Sequence, residues 1–167
     1  MCHSRRELHA SRRPCIGASC FALLVVVDLV AGCAYRTRSE SKGPMLSPVD
    51  AYEMASTGKL MIVDIRSYDD RTRDGTPKGA VLVAFSSSDT DQFLVVVLRA
   101  TNNVKAQPIA VLCSRGVYSR TAQAALIDAG FSRVYSVDGG FLGGDNDPGW
   151  RTWGLPIEPF GTIENDP

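Results

Sequence analysis

Apolar and polar positions fall into blocks along the chain, and the length and period of each block predict an element. Residues 60 to 66, LMIVDIR, form a β-branched apolar run of the kind found in a strand buried on both faces. AVLVAF at 80 to 85, PIAVLC at 108 to 113 and RVYSV at 133 to 137 repeat that character. Between these runs the period changes. SRTAQAALIDAG, 119 to 130, puts Ala122, Ala125, Leu126 and Ala129 on one face with Gly130 as the stop, which predicts an amphipathic helix. Ser47 to Asp50 fits a capping box with Pro48 at the first helical position, so VDAYEMAS reads as a short helix closing near Gly58. SYDDRTRDGTPKG is polar with two turn signals, a loop or a short helix. In SSSDTDQFLVVVLRATNN, Asp89 to Gln92 suit a helix start and Val95-Val96-Val97 a strand; the expectation is a helix of about ten residues. GWRTWGLPIE predicts aromatic packing, with Trp150 and Trp153 as packing residues, and a short terminal helix. Strands separated by helices imply an α/β fold, a central parallel sheet flanked by helices on both faces. Ligands in such sheets sit beyond the carboxyl ends of the strands, and Cys113 is placed at one of those ends.

The first 33 residues obey a different logic. A basic leader is succeeded by an apolar run from Cys20 to Val27 and then by small residues ahead of Cys33, the order of a secretory signal. The run is shorter than the roughly 20 residues of a membrane-spanning helix, and Asp28 ends it. Val30-Ala31-Gly32-Cys33 resembles the lipobox of bacterial lipoproteins, in which cleavage precedes the cysteine and its thiol is lipidated. The resemblance implies a signal peptide over 1–32 and Cys33 as a lipidated mature N-terminus. That anchor would hold the domain to a membrane on the periplasmic side of the bacterial envelope. The alternatives are an uncleaved hydrophobic anchor or a start codon placed too early. AYRTRSESKGPM is polar and aperiodic, so 33–46 reads as a flexible tether, 47–157 as the folded domain and 158–167 as a C-terminal tail.

Composition narrows the chemistry. Lys plus Arg and Asp plus Glu number 18 each, so there is no electrostatic footprint for nucleic acid. Loss of the leader removes four arginines, Glu7 and Asp28, and with them His3, His9, Cys2, Cys15 and Cys20. The exported domain then has a small acidic excess, no histidine and one unmodified thiol, Cys113. That inventory excludes an intrachain disulfide, a histidine-dependent metal site and a Cys/His hydrolase, and no cofactor is implied. Asp145 and Asp147 in GGDNDPG lack the ligand count that calcium needs and read as a turn.

The chemistry-bearing stretch is therefore CSRGVYSR, residues 113 to 120. A strand ending on cysteine, a short loop with Gly116 and a helix starting near Ser119 put the sulfur over a helix N-terminus. Unpaired N–H groups of the loop and first turn stabilise an anion there, a thiolate or a persulfide, without a histidine base. Gly116 suits a loop whose amides curl inward, because a Cβ would obstruct it.

At this point the sequence resembles the rhodanese family of single-domain sulfurtransferases, over about 47 to 157. VDIR at 63 to 66 looks like that family's Asp-x-Arg motif, GTPKGA at 75 to 80 like its turn, and CSRGVYS like its active-site loop. VDGGF, with Gly139 and Gly140, looks like its glycine pair, and GWRTWGLP like its terminal tryptophan helix. The resemblance implies a rhodanese fold in which Cys113 takes sulfane sulfur from a small donor, holds it as a persulfide, and passes it to a thiol or cyanide. It implies Ser114, Arg115, Gly116, Val117, Tyr118, Ser119 and Arg120 as the substrate-binding loop, with Asp64 and Arg66 as structural residues near the site. Many loops of the family carry arginine where Tyr118 stands, and thiosulfate-type loops place two basic residues after the cysteine, where Ser114 and Arg115 stand here. Cysteine phosphatases of related architecture need arginine at the position of Ser119, which argues against that chemistry. The competing reading is a non-catalytic rhodanese-like module, anchored in the envelope and binding a protein partner there; in it Cys113 is a buried core thiol.

Overall fold

A computed structural model describes residues 43–144 and 147–161. The leader, Cys33, tether residues 34–42, Asp145 and 162–167 of the tail lie outside the described residues. The chain runs β1 (Met45–Leu46), α1 (Pro48–Ser56), β2 (Met61–Asp64), α2 (Tyr68–Asp74), β3 (Thr76–Pro77), β4 (Val81–Leu82), α3 (Thr90–Ala100), β5 (Ile109–Leu112), α4 (Tyr118–Asp128), β6 (Val134–Val137) and β7 (Ile157–Glu158). Five strands form a parallel sheet in the order β1-β6-β5-β2-β4. The α/β architecture expected from the apolar blocks is the one observed.

Alternation along β5 divides the core in two. Ile109, Val111 and Cys113 face one side, where they pack with Phe93 and Val97 of α3 and Ala122 and Leu126 of α4. Ala110 and Leu112 face the other side, with Ala51 of α1, Ile62, Val137, Phe141 and Trp150. A strand buried on both faces explains why PIAVLC is continuously apolar.

Several local expectations resolve or change. The 67–79 segment contains a helix, because Ser67 caps it by accepting the Asp70 N–H and Gly75 closes it by donating to Arg71 O. The ambiguous 86–103 segment also contains a helix: Asp89 caps α3, and Phe93 and Val97 recur at a four-residue interval on the buried side. Of AVLVAF only Val81–Leu82 is a strand, although Val83 and Phe85 still donate to Asp64 O and Ile65 O.

Order starts before the expected domain boundary. Met45–Leu46, placed in the tether from sequence, is an edge strand: Ser136 donates to Pro44 O and Asp138 to Leu46 O, pairing the otherwise open side of β6. The terminal helix is not formed. Only a turn spans Gly149 to Gly154, with Trp153 N–H on Gly149 O, and the chain then runs into β7, antiparallel to β3. Trp150 is fully buried and its indole N–H donates to Pro156 O at 3.0 Å, which draws the chain back across the domain in place of a helix. Trp153, expected to pack, is 53% exposed. Glu158 lies in β7, so the pairing extends one residue into the expected tail.

Candidate active site

The parity of β5 that sends Val111 toward α4 sends Cys113 there too, so the sulfur emerges beneath the N-terminus of that helix. The thiol is 4% exposed. Gly116 N–H donates to Cys113 Sγ at 3.1 Å, and the thiol lies 3.5 Å from Ser119 Oγ. Ser119 Oγ is in turn 2.8 Å from Ser136 Oγ, and both serines are fully buried. Helix α4 starts after Val117 with no side-chain cap. A polar side chain of its own therefore does not compete with the sulfur for the first-turn amides.

The loop is fastened from below by the turn after β6. Phe141 N–H donates to Cys113 O at 2.8 Å and Leu142 N–H to Ser114 O at 2.9 Å. Gly140 permits this approach: its φ is +61°, and a Cβ there would fall 2.7 Å from Gly116 N and 2.9 Å from Arg115 N. Gly116, at φ +80°, lies against the same turn, where its own Cβ would come 3.2 Å from Gly139 N. Both positions demand glycine for backbone angle and for space.

A second polar group lies beside the first. Arg66 forms a buried two-pronged ion pair with Asp64, Nη2 to Oδ2 at 2.7 Å and Nε to Oδ1 at 3.0 Å, and Nη2 also donates to Gly75 O. The guanidinium carbon is 3.6 Å from the centroid of the Phe141 ring, the residue that bonds Cys113 O. The Arg66 carbonyl is held by Nε and Nη2 of the buried Arg71. Burial pushes the Arg71 guanidinium pKa down, and Asp64 partly restores it. This group thus ties the end of β2, α2 and the glycine turn into one frame.

The loop residues named from sequence divide by what they touch. Gly116 and Ser119 reach the sulfur. Ser114 Oγ points away to Asp70 Oδ2 of α2 at 3.5 Å. Arg115 is exposed, as are the side chains of Val117 and Tyr118 at 68% and 70%. Arg120 directs Nη2 to Met45 Sδ on the edge strand, 2.7 Å away. Sequence reasoning missed Ser136, Asp70 and Phe141. A serine inside the otherwise apolar VYSV strand was a readable signal for a buried partner, whereas only the fold brings Asp70 to Ser114, 44 positions away.

A parallel sheet with a buried cysteine at a strand's carboxyl end, its sulfur bonded by the loop ahead of a helix, defines an α/β cysteine-loop domain. The chain belongs to the rhodanese-like domain family, whose model matches residues 47–146. It is 34% identical over 113 residues to the thiosulfate sulfurtransferase GlpE of Glaesserella parasuis, which covers 68% of this chain and 91% of that one. With GlpE of Actinobacillus pleuropneumoniae it shares 48% identity over 52 residues, 31% of this chain and 43% of that relative's length. Among solved structures it is similar to Rv0390 of M. tuberculosis, at a TM-score of 0.58 and 27% identity, over 72% of this chain and 100% of the other.

Proposed function

We propose that this protein is a sulfurtransferase in which Cys113 carries sulfane sulfur as a persulfide. The observation that carries the reading is the buried Sγ facing the Gly116 N–H and the Ser119–Ser136 hydroxyl pair. These groups favour a sulfur anion without a general base, and a hydroxyl that accepts from the thiol turns to donate to a thiolate. The names of the GlpE relatives support a thiosulfate-like donor. With thiosulfate, the Cys113 thiolate attacks the outer sulfur, the S–S bond breaks, and sulfite leaves with its electron pair. The persulfide anion then gives that sulfur to cyanide or a thiolate, and the Cys113 thiolate returns.

The test is intact mass of the purified domain after exposure to thiosulfate or an alkyl hydropersulfide. One added sulfur that Cys113→Ser lacks is expected, and absence of an adduct with both donors would overturn the reading in favour of a binding module. The lipobox-like Val30-Ala31-Gly32-Cys33 supports a further part of the proposal, that the domain is lipid-anchored on the periplasmic side of the envelope and meets its donor or a protein partner there. Cys33→Ala is expected to release the protein from membranes or to block its processing; unchanged retention in fractionated cells would contradict the anchor.

A further inference from the structure

The sulfur of Cys113 is the first of three buried polar groups in a row. Ser119 Oγ stands 3.5 Å from it, and Ser136 Oγ lies 2.8 Å from that hydroxyl. Helix α4 and strand β6 hold this spacing at a second point. One turn after Ser119 on α4, Gln123 Nε2 donates to Val134 O at 2.9 Å, two residues before Ser136 on β6. The same amide donates to Pro44 O, which also accepts the Ser136 N–H at 3.2 Å, so the edge strand clamps Ser136 from one side. On the other side β5 pairs with it, Val111 opposite Ser136. Both serines are fully buried, and among the described residues Ser119 Oγ is the one hydrogen-bond partner of Ser136 Oγ.

A serine hydroxyl has one proton, so the direction of this chain of groups depends on the sulfur. With a thiol, the S–H donates to Ser119 and Ser119 donates to Ser136. With a sulfur anion the order reverses: Ser119 donates to the sulfur, and its oxygen accepts from Ser136. Donation from Ser136 polarises the Ser119 O–H and strengthens its bond to the anion. It also keeps the hydroxyl of a first-turn serine from turning back to a nearby carbonyl, a competing bond that serine makes readily. We propose that Ser136 is a positioning residue for sulfur loading, acting through Ser119 to hold the Cys113 sulfur in its anionic, attacking form. The inference rests on the sulfurtransferase reading and adds to it a residue with no hydrogen bond of its own to the sulfur.

The experiment measures two rates in the full chain. One is alkylation of Cys113 by iodoacetamide at neutral pH without any sulfur donor, read by peptide mass. The other is single-turnover loading of Cys113 from thiosulfate and from an alkyl hydropersulfide. Ser136→Ala is expected to slow both about threefold, with the half-saturating thiosulfate concentration unchanged because the loop that meets the donor keeps its residues. Ser136→Thr keeps a hydroxyl on β6 and is expected to restore both rates. On a Ser119→Ala background, Ser136→Ala is expected to slow neither rate further, since the two residues act as one unit. Wild-type rates in Ser136→Ala overturn the inference. An equal loss in Ser136→Thr makes the effect one of packing, and an undiminished effect on the Ser119→Ala background bypasses Ser119; either result overturns it. A wild type that is alkylated at Cys113 but takes sulfur from neither donor overturns the sulfurtransferase reading, while the alkylation rates still decide whether Ser136 acts on the sulfur.

Discussion

Two buried polar groups lie side by side at the carboxyl ends of β2 and β5, and they are built from opposite materials. Beside β5 the group is neutral and small: Cys113, Ser119 and Ser136, joined by contacts of 3.5 and 2.8 Å and completed by one backbone N–H. Beside β2 the group is fully charged: Asp64, Arg66 and Arg71, bonded to one another's side chains or to the carbonyls of Gly75 and Arg66. Charge here is spent on architecture, where a buried ion pair must be satisfied by fixed geometry and so locks three segments together. Among the described residues, the Cys113 sulfur, proposed to react, is hydrogen-bonded by neutral groups, the Gly116 N–H and the Ser119 hydroxyl. The Gly116 N–H is a fixed donor, whereas the hydroxyls can rotate to accept from a thiol or donate to a sulfur anion, so no full charge is needed at contact distance.

Perturbations of the two groups are expected to separate accordingly. The largest effect on stability falls on the charged group. Asp64→Ala strands Arg66 in the core and is expected to cost about 3–5 kcal/mol, read as a lower denaturant midpoint, with activity lost through unfolding. Gly140→Ala strikes the turn that links the groups. A side chain at φ +61° against Gly116 N and Arg115 N is expected to cost about 1–3 kcal/mol and to displace the loop, so sulfur loading falls even in the fraction that remains folded. The smallest structural effect belongs to the neutral group. Ser119→Ala leaves Ser136 without its partner, for about 1 kcal/mol, yet is expected to slow sulfur loading of Cys113 roughly tenfold in stopped mass measurements. Equal losses of stability in Asp64→Ala and Ser119→Ala would erase the division of labour.

Much of the fold was legible in local pattern. PIAVLC and LMIVDIR had to be doubly buried strands because they contain too few polar positions to face water, and the small-residue face of 119–130 had to be a packed helix. The capping serine at 67 and the four-residue recurrence of Phe93 and Val97 were present too, masked by polarity in one segment and by three consecutive valines in the other. The terminal segment misled for a different reason. Its aromatic spacing suits a helix, but Trp150 is satisfied through the Pro156 carbonyl, and β3 offers an edge that the chain pairs with instead.

By itself, the sequence determined the α/β order of elements, the position of Cys113 at a strand end and the need for glycine at 116, because these arise from periodicity and backbone sterics within a few residues. Tertiary structure alone decided which distant groups join the cysteine loop. Ser136 reaches it through Ser119 from a neighbouring strand, and Asp70 confronts Ser114 from a helix 44 positions earlier. Met45, which engages Arg120, comes from a segment that reads as tether. Such contacts depend on sheet order and helix placement, which pack residues distant in the chain into hydrogen-bonding range, and no local pattern carries that information.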